Sequence, residues 1–489
     1  MPEYGVVVVG AGNAALAAAV SAREPGAGRV VVLEKAPKEF RGGNTHYSGG
    51  LFRFAFDRAE DLRRLVPDVE REAAGFLDGV VPYPRGRFWE DLSRVTEGRA
   101  DPELADIVIG RSYDTVCWMA RQGILMEAAV SLSGVRVGHT IKWSPGAVLR
   151  AKHEGVGLSA MWFKIAEGRG VEIRYATGAV RLVQDGRGRV TGVVVRDPRG
   201  FSEVSGKAVV LGCGGFEANP EWRARYLGRP WDQAKVRGTR YNTGDGLGMA
   251  LEIAALPHGQ WTGCHATPID ADAPPYGDRA LTDKTNRLSY PFGVLINAWG
   301  RRFLDEGEDF QLYTYAKLGG IILNQPCGVA FQIFDAKVAG LLEARYKTGT
   351  PIVADSLPEL VGKLSVNRAA CLQTLEDYNA AAGSGRFDPT ARDGLRTVGL
   401  DPPKSNWAQR LDTPPYAAYP VTGGITFTFG GVRVNDRAQV VRTSRAPIPG
   451  LYACGEMVGG LFHTNYPGGT GLMSGAVFGR IAGAHAAGE

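Results

Sequence analysis

The stretch VVVVGAGNAALAAA, residues Val6 to Ala19, opens the chain with four valines, a glycine turn and a run of alanines. Four β-branched residues are too few and too stiff for a helix, and they predict a strand buried in a parallel sheet. Gly10 to Ala15 then fit the pattern G-x-G-x-x-[GA], which is typical of a strand that turns into a helix at a bound pyrophosphate. The first glycine makes the tight turn, Gly12 lets phosphate approach the backbone, and the small Ala15 lets helix and strand pack closely.

A second predicted strand, Val30–Leu33, ends at Glu34, which lies 22 residues after Gly12. A carboxylate at this position accepts hydrogen bonds from ribose hydroxyls and repels a 2′-phosphate, which argues against NADP. The intervening helix, from about Asn13 to Arg23, would direct its positive N-terminal end at the phosphates. The strand–helix–strand unit therefore predicts a site for an adenine dinucleotide.

Two further segments favour FAD over NAD. The loop RGGNTHYSGG, Arg41–Gly50, follows the second strand and is rich in glycine and hydroxyl groups that suit a longer cofactor. Near the C-terminus, IPGLYACGEMVGG, Ile448–Gly460, predicts a short strand that runs into Gly455 and Glu456. A helix that begins at Gly469–Leu472 would stabilise the negative charge that a reduced flavin gathers near N1 and O2. A nicotinamide enzyme would not need the C-terminal residues to return to this site.

Composition excludes several classes of protein. The chain has 489 residues, more than one ordinary domain, with 44% apolar and 22% charged residues, as in a soluble globular protein. Its net charge of +5 comes from dispersed basic residues, which indicates a solvated surface rather than a nucleic-acid interface. No stretch reaches the length of a membrane span, and the apolar opening lacks a basic segment and carries Glu3, unlike a secretion signal.

The cysteines are scattered, with no C-x-x-C pair, which argues against zinc, an iron–sulfur cluster or attached haem. They are Cys117, Cys213, Cys264, Cys327, Cys371 and Cys454. This usage fits the reduced thiols of a cytoplasmic protein, and we expect no metal site.

Taken together, GAGNAALAAA, LEKAP, GGNTHYSGG, VVLGCGGFEANPE, NTGDGLGMALEIAA and GLYACGEMVGGLFHTNYPGGTG resemble the fumarate reductase/succinate dehydrogenase flavoprotein superfamily, in its order and from end to end. Within it, AKVRGTRYNTGDG, WTGCHATPID and SYPFGVLINAWGRRFLDEGEDFQLYTYAK are most similar to FAD-dependent tricarballylate dehydrogenases. GGNTHYSGG and NYPGG are also similar to 3-ketosteroid Δ1-dehydrogenases.

The resemblance implies an α/β fold: a Rossmann-like FAD-binding domain of the glutathione-reductase type with an inserted α+β capping domain. The FAD-binding domain would be discontinuous, comprising residues 1–257 and 425–489, and residues 258–424 would form the cap that closes over the flavin. We expect the FAD to be bound non-covalently. The residues predicted to contact FAD are Gly10, Gly12, Asn13, Ala14, Glu34, Lys35, Gly43, Asn44, Thr45, Ser48, Gly49, Gly50, Val180, Gly214, Asp245, Gly455, Glu456, Gly471 and Leu472.

The chain departs from the fumarate reductases at most of the positions where the resemblance implies catalytic groups. His265 matches the first of two expected histidines. The other positions carry uncharged residues: Asn286 and Ser289 in place of the proton-path acid and its arginine, Phe310 or Gln311 in place of the catalytic arginine, Thr426 or Phe427 in place of the second histidine, and Tyr466 in place of the arginine that grips substrate. Fumarate reduction needs a proton donor and fixed cations beside a dicarboxylate, so this reaction is excluded.

The remaining residues predict a dehydrogenase that desaturates a C–C bond next to a carboxylate or carbonyl of a small organic substrate, with hydride transfer to flavin N5. Tyr466 falls where ketosteroid enzymes polarise a carbonyl, and we predict catalytic roles for Tyr466, His265 and Tyr313, with Tyr315 nearby as another phenol. The predicted substrate-binding residues are Arg240 and Arg287, as cations for carboxylates, together with Thr285, Gln311, Thr426 and Phe427.

Two alternatives remain open. The first is a ketosteroid-dehydrogenase-like or natural-product-tailoring dehydrogenase or oxidase that acts on a cyclic ketone, and the second is a flavin-binding protein whose catalysis has decayed. Because the sequence encodes no second redox centre, the flavin would be reoxidised by an external acceptor: a quinone, an iron–sulfur partner protein or dioxygen.

Overall fold

The four valines lie in the central strand of the largest sheet of the computed structural model, which describes residues 3–24, 26–137, 140–143 and 145–488. This strand, Tyr4–Val9, pairs in parallel with Val30–Leu33 on one side and with Gly200–Leu211 on the other. None of the four valines is more than 5% exposed, because neighbouring strands and helices cover both faces of the sheet.

Within the described residues the strands are β1 (Tyr4–Val9), β2 (Val30–Leu33), β3 (Leu51–Phe52), β4 (Met126–Ala128), β5 (Gly134–Val137), β6 (Thr140–Trp143), β7 (Leu149–Ala151), β8 (Glu172–Arg174), β9 (Gly178–Gln184), β10 (Val190–Asp197), β11 (Gly200–Leu211), β12 (Lys235–Val236), β13 (Pro257–His258), β14 (Cys264–Asp270), β15 (Val294–Asn297), β16 (Val329–Phe334), β17 (Ile352–Ala354), β18 (Tyr416–Thr428), β19 (Gly431–Val432), β20 (Gln439–Val441) and β21 (Pro447–Ala453).

The α-helices are α1 (Asn13–Arg23), α2 (Val69–Glu72), α3 (Phe76–Gly79), α4 (Arg85–Val95), α5 (Pro102–Gln122), α6 (Val130–Ser133), α7 (Glu154–Gly168), α8 (Pro220–Trp222), α9 (Asp245–Glu252), α10 (Gln311–Leu323), α11 (Leu357–Lys363), α12 (Arg368–Ala381) and α13 (Thr470–Ala486). Short 3-10 turns occupy Lys38–Phe40, Gly43–Tyr47, Ala59–Arg64, Trp231–Gln233, Thr282–Thr285, Tyr290–Phe292, Pro326–Gly328, Ala336–Leu341, Ala344–Thr348 and Gly455–Met457, and a π turn occupies Arg223–Leu227.

The first sheet has eight strands in the order β20-β21-β11-β1-β2-β8, and β10 and β9 extend from β11 as antiparallel strands. The strands from β21 to β8 run parallel, and α1 connects β1 to β2. This is the Rossmann-like arrangement that the opening stretch predicts. No helix in the described part of the chain is both long and apolar enough to cross a membrane.

The second sheet has six strands and is built around β18, which pairs with β12, β14, β16 and β17, while β15 pairs with β16. Its strands come from residues 235–428, so β12 lies before the predicted start of the cap at residue 258, and β18 crosses the predicted boundary at residue 425. The domain boundaries therefore stay predictions. Pairing of β14 with β18 places His265 opposite Phe427. Both residues lie at the end of the second sheet that faces the first sheet.

The glycine turn after β1 needs glycine at its first position. Gly10 has a φ of +99°, and a Cβ there would lie 2.6 Å from the carbonyl oxygen of Gly212. Its N–H donates to the carbonyl oxygen of Leu33 at 2.8 Å, which ties the turn to β2. Both the conformation and the close approach exclude a side chain.

The alanines of α1 allow a close contact with the last helix, α13. A Cβ on Gly479 would lie 2.3 Å from the carbonyl oxygen of Ala14, and one on Gly483 would lie 2.1 Å from that of Ala18. Since contacts advance along both helices in the same direction, α1 and α13 run parallel, and their N-terminal ends lie together. Small residues on both helices let the backbones touch, which explains the composition of the opening stretch.

This contact predicts that Gly479→Ala destabilises the protein. The added Cβ must separate two packed backbones, which costs about 1–3 kcal/mol, and this exceeds the gain of up to about 1 kcal/mol from the helix propensity of alanine. Gly86→Ala is the matched control, because Gly86 also lies in a helix and a Cβ there meets no atom within 4 Å. We expect the midpoint of thermal unfolding to fall for Gly479→Ala and to stay or rise for Gly86→Ala. Equal shifts would contradict the contact.

Candidate active site

A deep cleft with about 1940 Å³ of empty space, part of it open to solvent, runs from the carboxyl ends of β1 and β2 to the second sheet. The N-terminal ends of α1 and α13 form its middle, and the ends of β14 and β18 form its far wall. In the described part of the chain no group of three His, Cys, Asp or Glu side chains is arranged to hold a metal ion.

Nearly all residues predicted to contact FAD line this cleft. They are Gly10, Gly12, Asn13, Ala14, Glu34, Lys35, Gly43, Asn44, Thr45, Ser48, Gly49, Gly50, Gly214, Asp245, Gly455, Glu456, Gly471 and Leu472. Val180 does not follow the prediction, because its side chain is 43% exposed and lies outside the cleft. Its neighbour Ala179 lines the cleft instead, since successive side chains of a strand point to opposite faces.

The N-terminal end of α1 fits a diphosphate. Gly12 precedes the helix and, as a glycine, has no side chain that could cap it. A Cβ on Gly12 would meet only Thr45 Oγ1 at 3.4 Å and the Gly42 carbonyl oxygen at 3.9 Å, so the protein leaves room beside this backbone. The Asn13 N–H donates to Thr45 Oγ1 at 2.8 Å, which fixes the turn against the Gly43–Tyr47 segment. Uncapped N–H groups and the helix dipole attract phosphate oxygens.

Glu34 fits the ribose next to that diphosphate. Its side chain is 6% exposed, and Oε1 accepts from the Ala36 N–H at 2.8 Å. Burial raises the pKa of Glu34 to about 7, while the N–H groups of Ala36 and Ala11 act in the opposite direction. Two ribose hydroxyls would supply the donors that this carboxylate lacks in its buried position. Beside it, Lys35 Nζ forms an ion pair with Asp245 Oδ2 at 2.6 Å.

The start of α13 fits the flavin end of the cofactor. The helix begins at Thr470 after Gly469, whose φ is +90°, and no described side chain caps it. Asn13 joins the two helix starts, because its Nδ2 donates to the Leu472 carbonyl oxygen at 2.9 Å. The amide is fixed by Trp162 Nε1, which donates to Asn13 Oδ1 at 2.9 Å. The cleft thus offers two positive helix ends to an elongated anionic cofactor.

An aromatic chamber lies against the start of α13. We define it by six side chains that line the cleft: His265, Tyr315, Phe427, Phe429, Phe462 and Tyr466. The His265 ring centroid lies 4.9 Å from those of Tyr315 and Tyr466 and 5.1 Å from that of Phe427. The hydroxyl groups of Tyr315 and Tyr466 are hydrogen-bonded to each other. The chamber therefore combines apolar walls with two phenols and one imidazole.

The protonation states in the chamber follow from burial. Burial, and next the charge of Arg237, hold the pKa of His265 well below its usual value of 6.5. Burial holds the pKa of Tyr466 well above 10 and also raises the pKa of Tyr315. At neutral pH the chamber thus contains a neutral imidazole and two neutral phenols. Neither ring nitrogen of His265 has a hydrogen-bond partner among the described residues.

Tyr313, which the sequence predicts as catalytic, lies outside the cleft. Its hydroxyl donates to Asp91 Oδ2 at 2.8 Å and accepts from Arg53 Nη1 at 3.0 Å. Residues two apart on a helix point in nearly opposite directions, so when Tyr315 faces the cleft, Tyr313 faces the helices behind α10. Tyr315 therefore replaces Tyr313 among the residues that can act on a substrate.

The two arginines predicted to bind carboxylates also lie outside the cleft. Arg287 is 1% exposed, its Nη2 donates to Asp270 Oδ2 at 2.6 Å, and its Nη1 donates to backbone carbonyls. Its donors hold the loops of the second sheet together. Arg240 is exposed, with its guanidinium carbon 5.3 Å from the ring centroid of Tyr276 and 5.9 Å from that of Phe40. Neither residue is placed to bind substrate.

The other predicted substrate-binding residues divide between the cleft and its surroundings. Thr426 and Phe427, at the end of β18, line the cleft. Thr285 is buried in a 3-10 turn, and Gln311 begins α10 with its Nε2 donating to the Leu132 carbonyl oxygen at 3.4 Å. Both lie behind the cleft wall, because the wall at this level is formed by other residues of the same segments, Asp283 and Leu312.

Four polar residues that the sequence analysis did not assign to substrate line the cleft opposite the α1 end: Arg237, Asp283, Asn286 and Arg345. Arg237 is in the segment AKVRGTRYNTGDG, three residues before Arg240. Its backbone N–H donates to the Ile425 carbonyl oxygen at 2.8 Å, which continues the pairing of β12 with β18. The same segment thus supplies an arginine that lines the cleft, and strand pairing places Arg237 there rather than Arg240.

Comparisons with known proteins identify the family of this chain and several relatives. A family described as FAD binding domain matches residues 5–472. The probable fumarate reductase Ifc3 of Shewanella frigidimarina (strain NCIMB 400) is 30% identical over 99% of this chain and 74% of its own length. Two further relatives are 27% identical to this chain. The match to the 3-oxosteroid 1-dehydrogenase of Mycolicibacterium smegmatis covers 98% of this chain and 96% of the relative. The match to the 4-oxocyclohexanecarboxylate 2-dehydrogenase of Sinomonas cyclohexanicum covers 99% of this chain and 93% of the relative.

Among solved structures, the open conformation of a flavocytochrome c3 fumarate reductase matches with a TM-score of 0.74 and 27% identity. The match covers 100% of this chain and 79% of that one. The chain belongs to the FAD-binding domain family, within the fumarate reductase/succinate dehydrogenase flavoprotein superfamily. It is an FAD-dependent oxidoreductase of the class that acts on CH–CH bonds, and the predicted α/β fold and FAD cofactor are confirmed.

The position of Glu34 predicts a pH-dependent affinity for FAD. Since the ionised carboxylate is the better acceptor for ribose hydroxyls and its pKa is about 7, affinity should rise as the pH increases through 7. Glu34→Gln should raise the Kd of FAD about tenfold at pH 8 and remove most of this pH dependence. Fluorescence titration of the apoprotein with FAD measures both effects. Glu39→Gln, at a nearby exposed position, is the control and should bind FAD like the wild type.

Proposed function

We propose that the protein is an FAD-dependent dehydrogenase that desaturates a C–C bond next to the carbonyl or carboxylate of a small organic substrate. The aromatic chamber is the observation that carries this proposal. It places a neutral imidazole with no hydrogen-bond partner among the described residues beside a hydrogen-bonded pair of phenols, at the start of α13. A carbonyl oxygen can accept from the phenols while the carbon next to it faces the imidazole.

Each group has a role that fits its protonation state. Tyr466, supported by the hydroxyl of Tyr315, donates a hydrogen bond to the carbonyl oxygen and thereby acidifies the adjacent C–H bond. The neutral imidazole of His265 accepts the proton from that carbon. When bound, FAD supplies the oxidant that takes a hydride from the neighbouring carbon. The substrate therefore loses one proton and one hydride, and a C=C bond forms between the two carbons.

The apolar walls of the chamber strengthen the hydrogen bond that Tyr466 would donate, because they exclude water. Phe427, Phe429 and Phe462 leave little room for water around Tyr466, which is 5% exposed. A hydrogen bond to developing negative charge is stronger when water is excluded. The same walls favour an apolar substrate body over a tricarboxylate, for which the predicted cations Arg240 and Arg287 lie outside the cleft.

A cyclic ketone is the substrate class that we favour within this proposal. The chamber supports it, because flat apolar rings pack well on aromatic side chains. The names of two relatives, a 3-oxosteroid dehydrogenase and a 4-oxocyclohexanecarboxylate dehydrogenase, also support it. The likeness to tricarballylate dehydrogenases favours the competing class of polycarboxylates. Anaerobic mixing of the protein with tricarballylate, and separately with cyclic ketones, distinguishes the classes by loss of flavin absorbance near roughly 450 nm.

A binding protein with decayed catalysis is the remaining alternative, and it would show no bleaching with either class. In the dehydrogenase that we propose, electrons leave the flavin to an external acceptor, which is a quinone, an iron–sulfur partner protein or dioxygen. We place this enzyme in the cytoplasm on the basis of its cysteine usage.

Substitutions in the chamber should slow flavin reduction without preventing FAD binding. Tyr466→Phe and His265→Ala each remove one proton-transfer group, and each should lower the limiting rate of flavin reduction by about 100-fold or more. Tyr378→Phe is the matched control for the loss of a phenol, because the Tyr378 hydroxyl donates to the Gln409 carbonyl oxygen in a separate hydrophobic cluster. Stopped-flow reduction under anaerobic conditions gives the rates. Unchanged rates in the chamber variants would remove these residues from the mechanism.

The protonation states predict the pH profile. Because the pKa of His265 lies well below 6.5, the base stays neutral and active as the pH falls from 8 to about 6.5, and the rate should drop only at lower pH. Because the pKa values of Tyr466 and Tyr315 are raised above 10, their protons remain available at pH 9. The limiting rate should thus be flat from about pH 7 to 9. A rise in rate with a midpoint near 7 or above would contradict a neutral, buried His265 as the base.

A further inference from the structure

Arg237 is a buried cation with few partners. Its side chain is 8% exposed and lines the cleft. Its shortest polar contacts are long: Nη1 to the Tyr47 carbonyl oxygen at 3.4 Å and Nη2 to Asp283 Oδ1 at 3.5 Å. Its Nε has no hydrogen-bond partner in the described part of the chain. The guanidinium therefore has unused donors in a position from which bulk water is excluded.

Arg287 is a buried arginine of the same protein with closer partners, although its Nε, like that of Arg237, has no hydrogen-bond partner among the described residues. Its guanidinium makes hydrogen bonds of 2.6–3.0 Å to Asp270 and to three backbone carbonyls. Burying a charged group without such partners is unfavourable, and folded proteins keep such groups where a ligand completes them. The guanidinium fork matches the two oxygens of a carboxylate.

The neighbours of Arg237 compensate its charge only at a distance. Asp283 lies closer to Arg345, whose Nη1 donates to Asp283 Oδ2 at 2.7 Å, than to Arg237. Glu343 also pairs with Arg345, with contacts of 3.0 and 3.1 Å, and lies outside the cleft. Arg345 therefore has two close carboxylates, whereas Arg237 has one at 3.5 Å, and a ligand carboxylate would give Arg237 the close acceptor that it lacks.

Asn286 adds a polar contact at the same place. Its Nδ2 donates to Asp283 Oδ1 at 2.6 Å, which fixes the amide, and its Oδ1 has no partner among the residues described. We name Arg237, Asp283, Asn286 and Arg345 the polar pole. The name separates these residues from the aromatic chamber in the same cleft.

The polar pole and the chamber lie close together in the cleft. The backbone N–H of Arg237 bonds to Ile425, and Phe427, two residues further along β18, pairs with His265. Two residues of a strand span about 7 Å, so one small substrate can contact residues of both. The charge of Arg237 also acts on His265, Tyr315 and Tyr466.

We propose that Arg237 binds a carboxylate of the substrate, with Arg345 beside it, and that the substrate is a small keto acid with one carboxylate. Its ketone would lie in the aromatic chamber and its carboxylate at the polar pole. The placement of the ketone rests on the proposed function, whereas the placement of the carboxylate rests only on the residues of the polar pole. The substrate still loses one proton and one hydride, and its carboxylate takes no part in the reaction.

The test uses the FAD-loaded protein and two probes that differ only in charge. 4-Oxocyclohexane-1-carboxylate carries a ketone and a carboxylate at opposite ends of one ring, and its methyl ester lacks the charge. The Kd of each is measured from the change in the spectrum of the oxidised flavin. We expect the wild type to bind the acid at least about 30-fold more tightly than the ester, and Arg237→Met to bind both about equally, with the Kd of the ester unchanged.

Arg240→Met is the matched control, since Arg240 lies three residues further along the same segment, outside the cleft, and this variant should keep the preference for the acid. Arg237→Gln gives a second test if Arg237→Met does not fold. It removes the charge but keeps a polar side chain, so it should weaken binding of the acid and leave the ester unaffected. Equal weakening of both probes in Arg237→Met, or loss of FAD from that variant, would overturn the proposal.

The outcomes separate this inference from the proposed function. If ketones bleach the flavin but the wild type shows no preference for the acid, the polar pole does not bind carboxylate and the dehydrogenase proposal stands. If the acid binds in an Arg237-dependent way but neither probe bleaches the flavin, the carboxylate site stands and the ketone chemistry is wrong. If neither probe binds, the keto acid assignment is wrong.

Discussion

The backbone contact between α1 and α13 determines where the site can form. Ala14 and Ala18 lie directly against Gly479 and Gly483, and the two helices run in the same direction. Their N-terminal ends therefore open into one cleft, although more than 450 residues separate Asn13 from Leu472, whose carbonyl oxygen accepts from the Asn13 amide at 2.9 Å. Two helix dipoles and their free N–H groups then act together on an elongated anionic cofactor, which one helix alone could not hold along its whole length.

Strand pairing provides the second fixed element. His265 lies on β14, Phe427 lies opposite it on β18, and Arg237 joins the same strand at Ile425. The proposed base His265, one wall of the chamber and the buried cation Arg237 are thus held by backbone hydrogen bonds of a single sheet. Groups placed on rigid strands keep their mutual distances better than groups on loops, which suits a reaction in which a proton and a hydride leave neighbouring carbons.

Local chemistry explains which features could be predicted from the sequence. The turn at Gly10 and the acid at Glu34 depend on backbone conformation and on spacing along adjacent elements, and both lie in the cleft as the pattern requires. The choice between Tyr313 and Tyr315 depends on which face of α10 meets the second sheet, and the choice between Arg237 and Arg240 depends on pairing with β18. Arg287 was predicted to bind a substrate carboxylate, because Asp270, its partner, becomes a neighbour only after folding.

Electrostatics connects the two ends of the cleft. After burial, the positive charge of Arg237 is what keeps the pKa of His265 low. A substrate carboxylate bound to Arg237 would compensate that charge, so the pKa of His265 would rise in the occupied site, while burial, the larger cause, would still hold it below 6.5. The imidazole would therefore become a stronger base when a substrate is present to give up a proton, and it would stay neutral in the empty site. Burial of the phenols has the complementary effect, because it keeps their protons in place for donation to the carbonyl oxygen.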